Sequence, residues 1–282
     1  MGILRLMSNN IWKNDCNCPA WEAKGEDCSA VHRAKGLARM YIETDPDIIG
    51  LQECSAVMLE ELMEHFAAAE LPFAVLWGRD TPILYRSDKF ELLDSEFALY
   101  PEEIPGLEGK FNNHKTKSYL IAVFRVKESD QRLIFATTHL WWKSENPDSP
   151  DYYPHSDAAR VWQIERLMDR LAVYREKYQC PAVFVGDMNA DYLSPAVRAA
   201  IARGYTHGHD DAVEYWDETD GHHFCYAAGY DFYEEPLDFE AGIDHILIGG
   251  APEGFVRRFE RFIDEYYMPL SDHFPLWIDA QL

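Results

Sequence analysis

Several short segments bring together side chains that can do chemistry. Val183-Phe-Val-Gly-Asp-Met-Asn-Ala-Asp191 is an oily run that ends in Gly186, Asp187 and Asn189. In extended backbone Asp187 and Asn189 point the same way, while Met188 points into the protein. A carboxylate beside an amide can hold a hard cation or a phosphoryl oxygen, the one accepting and the other donating hydrogen bonds. The same order also suits an Asx turn leading to a helix start at Ser194-Pro195, and this segment alone supports both readings.

Other apolar runs end in kind. Asp47-Ile-Ile-Gly-Leu-Gln-Glu53 closes on Gln52 and Glu53, and Ile3 to Met7 leads to Asn9 and Asn10. Ile134 to Thr138 closes on His139, and Gly242-Ile-Asp-His-Ile-Leu-Ile248 holds Asp244 inside an oily strand. Ser271-Asp-His-Phe-Pro275 presents the acid Asp272 beside the base His273. Any one of these fits a satisfied turn or a core polar group. Together they exceed what turns explain, because a carboxylate is costly to bury without a partner or an ion.

The elements that must position these groups are legible in the periodicity. Expected strands are Ile3 to Met7, Asp47 to Gln52, Phe73 to Leu76, Pro82 to Tyr85, Phe90 to Leu99, Tyr119 to Val126, Arg132 to Thr138, Ala182 to Val185, Ile243 to Ile248, Phe255 to Phe262 and Phe274 to Ile278. Helical spacing marks Leu59, Leu62, Met63 and Phe66 after a Ser55 cap, and Val161, Ile164, Leu167, Met168 and Leu171 after Ser156. It is weaker at Ala34, Leu37, Ala38 and Tyr41. Short connections such as that from Val126 to Arg132 suit antiparallel hairpins, and others carry a helix. Mixed sheets covered by helices follow, in a single domain over residues 1–282 without an internal linker. Loops at 12–28, 100–118, 141–155 and 206–241 are expected on one working face.

Composition narrows the function. The formal charge is −23, with 49 acids against 26 bases. Nucleic-acid binders draw affinity from Lys and Arg on phosphates, so this balance disfavours long duplexes and favours compact substrates or contacts bridged by a cation. No leader and no run of roughly 20 apolar residues is visible, so a cytoplasmic protein without a membrane span is expected. The six cysteines are too sparse for a disulfide scaffold, and Cys16, Cys18 and Cys28 read as loop thiols ahead of zinc ligands.

Asp47 to Glu53, Gly186-Asp-Met-Asn189 and Ser271-Asp-His273, in that order, resemble the endonuclease/exonuclease/phosphatase superfamily of metal-dependent phosphoesterases. Thr138-His-Leu140, Ile243-Asp244 and Pro82-Ile-Leu-Tyr-Arg86 agree in place. The resemblance spans nearly the whole chain and implies a four-layer α/β/β/α sandwich: two mixed, largely antiparallel sheets flanked by helices. It implies Mg²⁺ or Mn²⁺ at Asn10 and Glu53, with Asp272 as a further ligand; strand alternation separates Asn9 from Asn10. It implies Asp187 and Asn189 on the attacking water and phosphate, His273 on the phosphoryl group with Asp244 as its carboxylate partner, and His139 as the second histidine on the phosphate. Either Asp187 or His273 is the base.

In several nucleases of that family an acid pairs with the first histidine; Asp80 lies near that place. Arg160 and Gln163 follow the Thr-His-Leu strand one helical turn apart, and a structural role is expected for Arg160. Trp141, Trp142, Tyr152, Tyr153, Tyr226, Tyr230, Phe232 and Tyr233 can stack on substrate or pack loops. Lys115, Lys117 and Lys143 can form a small basic rim, and His207, His209, Asp210 and Asp211 read as a solvated loop. The expected activity is metal-dependent hydrolysis of a compact phosphoester such as a nucleotide, sugar phosphate or lipid headgroup. A nuclease is the alternative that the charge disfavours, and a silent binding protein is opposed by the intact set of residues.

Overall fold

The computed structural model describes residues 2–13, 23, 25, 27–215, 242–267 and 269–282, and the backbone of 225–226 and 231–232. Cys16, Cys18, Tyr230, Tyr233 and the side chains of Tyr226 and Phe232 lie outside the described parts. In chain order the strands are β1 (Ile3–Asn10), β2 (Ile48–Gln52), β3 (Phe73–Leu76), β4 (Ile83–Arg86), β5 (Phe90–Leu99), β6 (Ser118–Val126), β7 (Arg132–His139) and β8 (Ala182–Asp187). They continue as β9 (Tyr205–His207), β10 (Glu214–Tyr215), β11 (Cys225–Tyr226), β12 (Asp231–Phe232), β13 (Asp244–Gly249), β14 (Val256–Arg261) and β15 (Leu276–Gln281). The helices are α1 (Ala30–Thr44), α2 (Ala56–Ala68), α3 (Ser156–Tyr178), α4 (Pro195–Ala202) and the single turn α5 (Gly208–Asp211). No helix among the described residues is long and apolar enough to cross a membrane.

Among the described residues the strands form a seven-stranded sheet, β10-β14-β15-β1-β2-β4-β3, and a six-stranded sheet, β5-β6-β7-β8-β13-β9. Among the described strands only β1–β2, β7–β8 and β10–β14 pair in parallel. The mixed, largely antiparallel sandwich is as the sequence implies. Serines open three helices by accepting a backbone N–H: Ser29 from His32, Ser55 from Met58 and Ser194 from Val197, with Pro195 in the first turn of α4.

Strand parity builds the layers. Leu4 and Leu6 of β1, Ile48 of β2, and Leu276 and Ile278 of β15 face Phe135, Val183, Val185 and Ile246 of the other sheet. The alternate residues Met7, Ile49, Leu51 and Trp277 face the outer helices through Leu37, Tyr41, Leu62 and Phe66. On the other side Ile134, Ala136, Phe184 and Leu247 face Ile164, Leu167 and Leu171 of α3 and Val197 of α4. Four layers result: helices, sheet, sheet, helices.

The sheets close tightly at one place. A Cβ on Gly50 of β2 would lie 2.5 Å from Val185 Cγ2 and 2.9 Å from Thr137 Cβ. Next to it Gln52 Nε2 donates to Thr137 Oγ1 (2.9 Å), which donates to Leu51 O (3.2 Å). Glycine here lets the ends of β2, β7 and β8 meet.

Several boundaries differ from expectation. β1, β7 and β8 run on to Asn10, His139 and Asp187 because backbone pairing outlasts the apolar pattern, and the last strand starts at Leu276 rather than Phe274. β9, β10 and α5 were not expected, and residues 207–211 are not a solvated loop. His207 and His245 are fully buried. His245 Nε2 donates to Ala190 O (2.7 Å), so its Nδ1 accepts from His207 Nε2 (3.0 Å), and His207 Nδ1 accepts from His209 N (3.2 Å). Two neutral imidazoles thus pair in the core, and histidine's polar count hides β9 from periodicity.

Arg33 of α1 is also buried. Its guanidinium donates to Cys28 O (2.8 Å), Ile11 O (2.7 Å), Leu270 O (2.6 Å) and Trp12 O (2.8 Å). It therefore ties the residues after Asn10 to the segment that precedes Asp272 and His273. Replacing it strands carbonyl acceptors, so Arg33→Met should lower the unfolding free energy by about 3 kcal/mol or more in denaturant titration. A loss below about 0.5 kcal/mol, the range of ordinary surface changes, contradicts that role.

The histidine pair makes a second prediction. Burial above all pulls His245 down to about 4, and burial and then His245 hold His207 well below its ordinary value. An unfolded histidine titrates near 6.5, so the pair's contribution to stability is complete above about that pH and declines as pH falls toward 4. For His245 alone the decline is about 3 kcal/mol. Denaturant titrations across that interval should show wild type losing stability more steeply than His207→Gln/His245→Gln; equal slopes contradict a buried neutral pair.

Candidate active site

The parity that buries the inter-sheet core carries straight into the site. Continuing Leu6 of β1, Ile48 of β2, Phe135 of β7, Val185 of β8 and Ile246 of β13 places Asn10, Gln52, His139, Asp187 and Asp244 on that inner face. The ladders align His139 with Asp187 and Asp187 with Asp244 across β7, β8 and β13, and Asn10 with Gln52 across β1 and β2. Two acids directly opposed repel. The third party is His273, whose Nδ1 bonds Asp244 Oδ2 at 2.6 Å while its Nε2 lies 3.9 Å from Asp187 Oδ2.

Asn10 joins the two sheets: its Nδ2 donates to Asp187 Oδ2 (2.9 Å) and to Glu53 Oε1 (3.4 Å), and its Oδ1 accepts from Trp12 N (3.0 Å). Asn9 faces the other way and bonds the hydroxyls of Tyr41 (2.8 Å) and Tyr267 (2.9 Å), as alternation requires. Glu53 leaves β2 with φ of 57° and accepts Lys13 N at its Oε2 (3.0 Å). Ser271 Oγ donates to Asn10 O (2.7 Å) and accepts His273 N (3.1 Å), locking the Asp272-His273 turn to β1.

At the end of β8 the turn reading is realised at the mouth of a pocket. Asn189 N donates to Asp187 Oδ1 (2.8 Å), an Asx turn, with Asn189 at φ of 48°. Its Nδ2 donates to Leu140 O (3.1 Å), and the residue also lines the pocket with Asp187. Gly186 answers to backbone rather than to substrate, since a Cβ there would meet Thr138 O at 2.0 Å.

The pocket, about 440 Å³, gathers Glu53, His139, Asp187, Asn189, Asp272 and His273, with Lys13, Asp80, His114, Thr116, Lys117 and Trp142 around them. Asp244 stands behind His273, and Asn10 forms the floor beneath Asp187 and Glu53. Lys117 does not sit on an exposed rim. It is 5% exposed, and its Nζ contacts His139 Nε2. The β6–β7 hairpin register, which pairs Ser118 with His139, puts it there, and the short turn between those strands was the signal that could have located it. Asp80 pairs with Lys13 rather than with His139. Lys143 bonds Asp151 (3.0 Å), and Lys115 is exposed.

The loop after His139 is anchored from α3. Arg160 donates to Trp141 O (3.1 Å) and Lys143 O (2.6 Å), and Gln163 Oε1 accepts Trp141 N (2.8 Å). Trp141 packs edge-on against Phe111 and Tyr153 in a buried cluster. Trp142 is 40% exposed at the pocket, so one aromatic fills the loop and its neighbour faces the opening.

Electrostatics separate the titrating groups. Burial, reinforced by Asp244, pushes Asp187 up to about 6 against the pull of His273 and Lys117. Burial opposes the charge on His273, but Asp244, Asp272 and Asp187 outweigh it and hold the imidazole well above its ordinary value. Burial, then Lys117 and His273, keep His139 neutral. Burial brings Lys117 down to about 8 against the attraction of Glu53, Asp187 and Asp80. Burial, with Glu53 and Asp244, raises Asp272.

The donor set fits a hard divalent cation. Glu53, Asp187 and Asp272 offer carboxylate oxygens, and Asp272 Oδ1 is buried without a hydrogen-bond partner among the described residues. Glu53, His139 and Asp187 each bring a ligand atom within 4.8 Å of the others, as do Asp187, Asp244 and His273.

A family model, Endonuclease/Exonuclease/phosphatase family, matches residues 10–273, running from Asn10 to His273. No curated protein sequence matches the chain. Among solved structures, a Bacteroides thetaiotaomicron mannosyl-6-phosphatase is similar at 20% identity and a TM-score of 0.72, covering 99% of this chain and 100% of that one. D. rerio TDP2 complexed with single-strand DNA product is similar at 17% identity and 0.65, covering 100% of both chains. The human Nocturnin catalytic domain with bound sulfate is similar at 16% and 0.63, covering 99% and 94%. Those likenesses give the shared fold, and the family model, matched from residue 10 to residue 273, gives the membership: the chain belongs to the endonuclease/exonuclease/phosphatase family.

Proposed function

We propose that the protein is a divalent-metal-dependent hydrolase of compact phosphoesters. The observation that carries this reading is the convergence of Asn10, Glu53, Asp187 and the Asp244–His273 pair on one pocket of about 440 Å³. The charge of −23 favours a compact ester over a long nucleic acid, whose phosphates need a track of Lys and Arg. The mannosyl-6-phosphatase among the similar structures is consistent with this choice.

In this reading Glu53 and Asp272 would hold the ion, Mg²⁺ or Mn²⁺, while Asn10, expected beside them as a ligand, has its Oδ1 on Trp12 N and fixes the Glu53 carboxylate through its Nδ2. When bound, the ion supplies positive charge against the non-bridging and departing oxygens. Asp187 takes the proton from the attacking water, because a carboxylate near 6 is matched to a base working at neutral pH. His273, protonated on both nitrogens, donates from Nδ1 to Asp244 and turns Nε2–H toward the phosphoryl group. Asn189 and His139 flank the same space, and Asn189 acts on the phosphate. Water attacks phosphorus in line as the ester oxygen leaves with its electron pair.

A Mg²⁺-supplemented panel of phosphate monoesters, diesters, DNA and RNA tests this. A small ester should turn over, and Asn189→Ala and His273→Ala should each lose at least about 100-fold in kcat/KM. Equal turnover by both variants refutes the site; fast DNA cleavage with weak action on small esters refutes the compact substrate.

A further inference from the structure

Lys117 is built into the pocket. Asn112, itself buried, accepts Lys117 N–H at its Oδ1 (2.9 Å) and donates from Nδ2 to Lys117 O (2.8 Å) and Tyr100 O (2.6 Å). One amide thus pins the lysine backbone on both sides before β6 begins. From there the side chain runs inward, and its ammonium bonds an imidazole, His139 Nε2, rather than a carboxylate. Asp80, the acid on that wall, is occupied by Lys13. A dehydrated ammonium bonded to a neutral group is costly, and an anion entering the pocket would complete it.

His139 has little left to offer such an anion. Its Nε2 accepts the Lys117 N–H and lies 3.3 Å from Asp187 Oδ2, and its buried Nδ1 has no hydrogen-bond partner among the described residues. Lys117 brings its N–H donors to the pocket wall beside His139.

Resting on the hydrolase reading above, we propose that Lys117 is a catalytic residue. Its ammonium binds a non-bridging phosphoryl oxygen, and neutral His139 is the positioning residue that holds it there. The contact that the family resemblance assigns to His139 passes to Lys117 in this protein. The proposal also names the substrate class. A fixed cation gains more from a dianion than from a monoanion, so the preferred ester is a phosphomonoester.

The test compares 4-nitrophenyl phosphate with bis(4-nitrophenyl) phosphate, and titrates inorganic phosphate calorimetrically into the Mg²⁺-loaded protein. Lys117→Met should cut kcat/KM on the monoester by at least about 100-fold and on the diester by about 10-fold, and should weaken phosphate binding at least about 10-fold. Lys117→Arg should recover part of the monoester activity. His139→Gln, which can still accept the lysine N–H, should lose less than Lys117→Met. Equal losses on both esters, or phosphate binding unchanged in Lys117→Met and Lys117→Gln, overturn the proposal. Wild type inert toward both esters removes the hydrolase reading instead, and phosphate binding, which needs no turnover, still decides whether Lys117 grips a phosphoryl group.

Discussion

The constraint on which the structure turns is electrostatic: Glu53, Asp187, Asp244 and Asp272 crowd one edge of the seam between two sheets, with Asp187 and Asp244 directly opposite in a ladder. Carboxylates so placed repel, and burial raises the cost. The protein meets this with cations and donors drawn from separate elements: His273 against Asp244, Asn10 against Asp187 and Glu53, Lys13 against Asp80, and Lys117 deep in the wall. The two sheets that carry these groups meet at Gly50, and Arg33 ties the segment after Asn10 to the turn before Asp272.

The acidic seam also explains the division of labour. Asp187 and His273 face each other across 3.9 Å and both hold their protons more tightly than usual, the first because burial dominates and the second because three carboxylates outweigh burial. A carboxylate made more basic beside an imidazole held in its cationic form is a pairing that, in the proposed reaction, can take a proton from water while holding an anion. The loop after His139 serves this arrangement from outside: Arg160 and Gln163 fix its backbone, Trp141 fills it, and Trp142 is left at the opening.

Much of this was legible in the sequence because strands have a period of two. Once Leu6, Val185 and Ile246 are assigned to the inner face, Asn10, Asp187 and Asp244 follow, and Asn9 is sent to Tyr41 and Tyr267. What parity does not reach was misread. Lys117 lies before β6 and enters the site through hairpin register, and Asp80 lies in a connection whose partner, Lys13, is far away in sequence. His207 looked like a loop residue because its burial depends on one particular partner, His245, which no periodic pattern announces.

The central claim is that these strand ends form a cation-dependent phosphoester site with its ion on Glu53. Anomalous diffraction from crystals soaked in Mn²⁺ tests it most directly. The account predicts a peak within about 2.5 Å of a Glu53 carboxylate oxygen, beside Asp272 and on the pocket side of Asn10. A peak lodged elsewhere, such as at His207 and His209, or a pocket that stays free of manganese at saturating concentration, would contradict it.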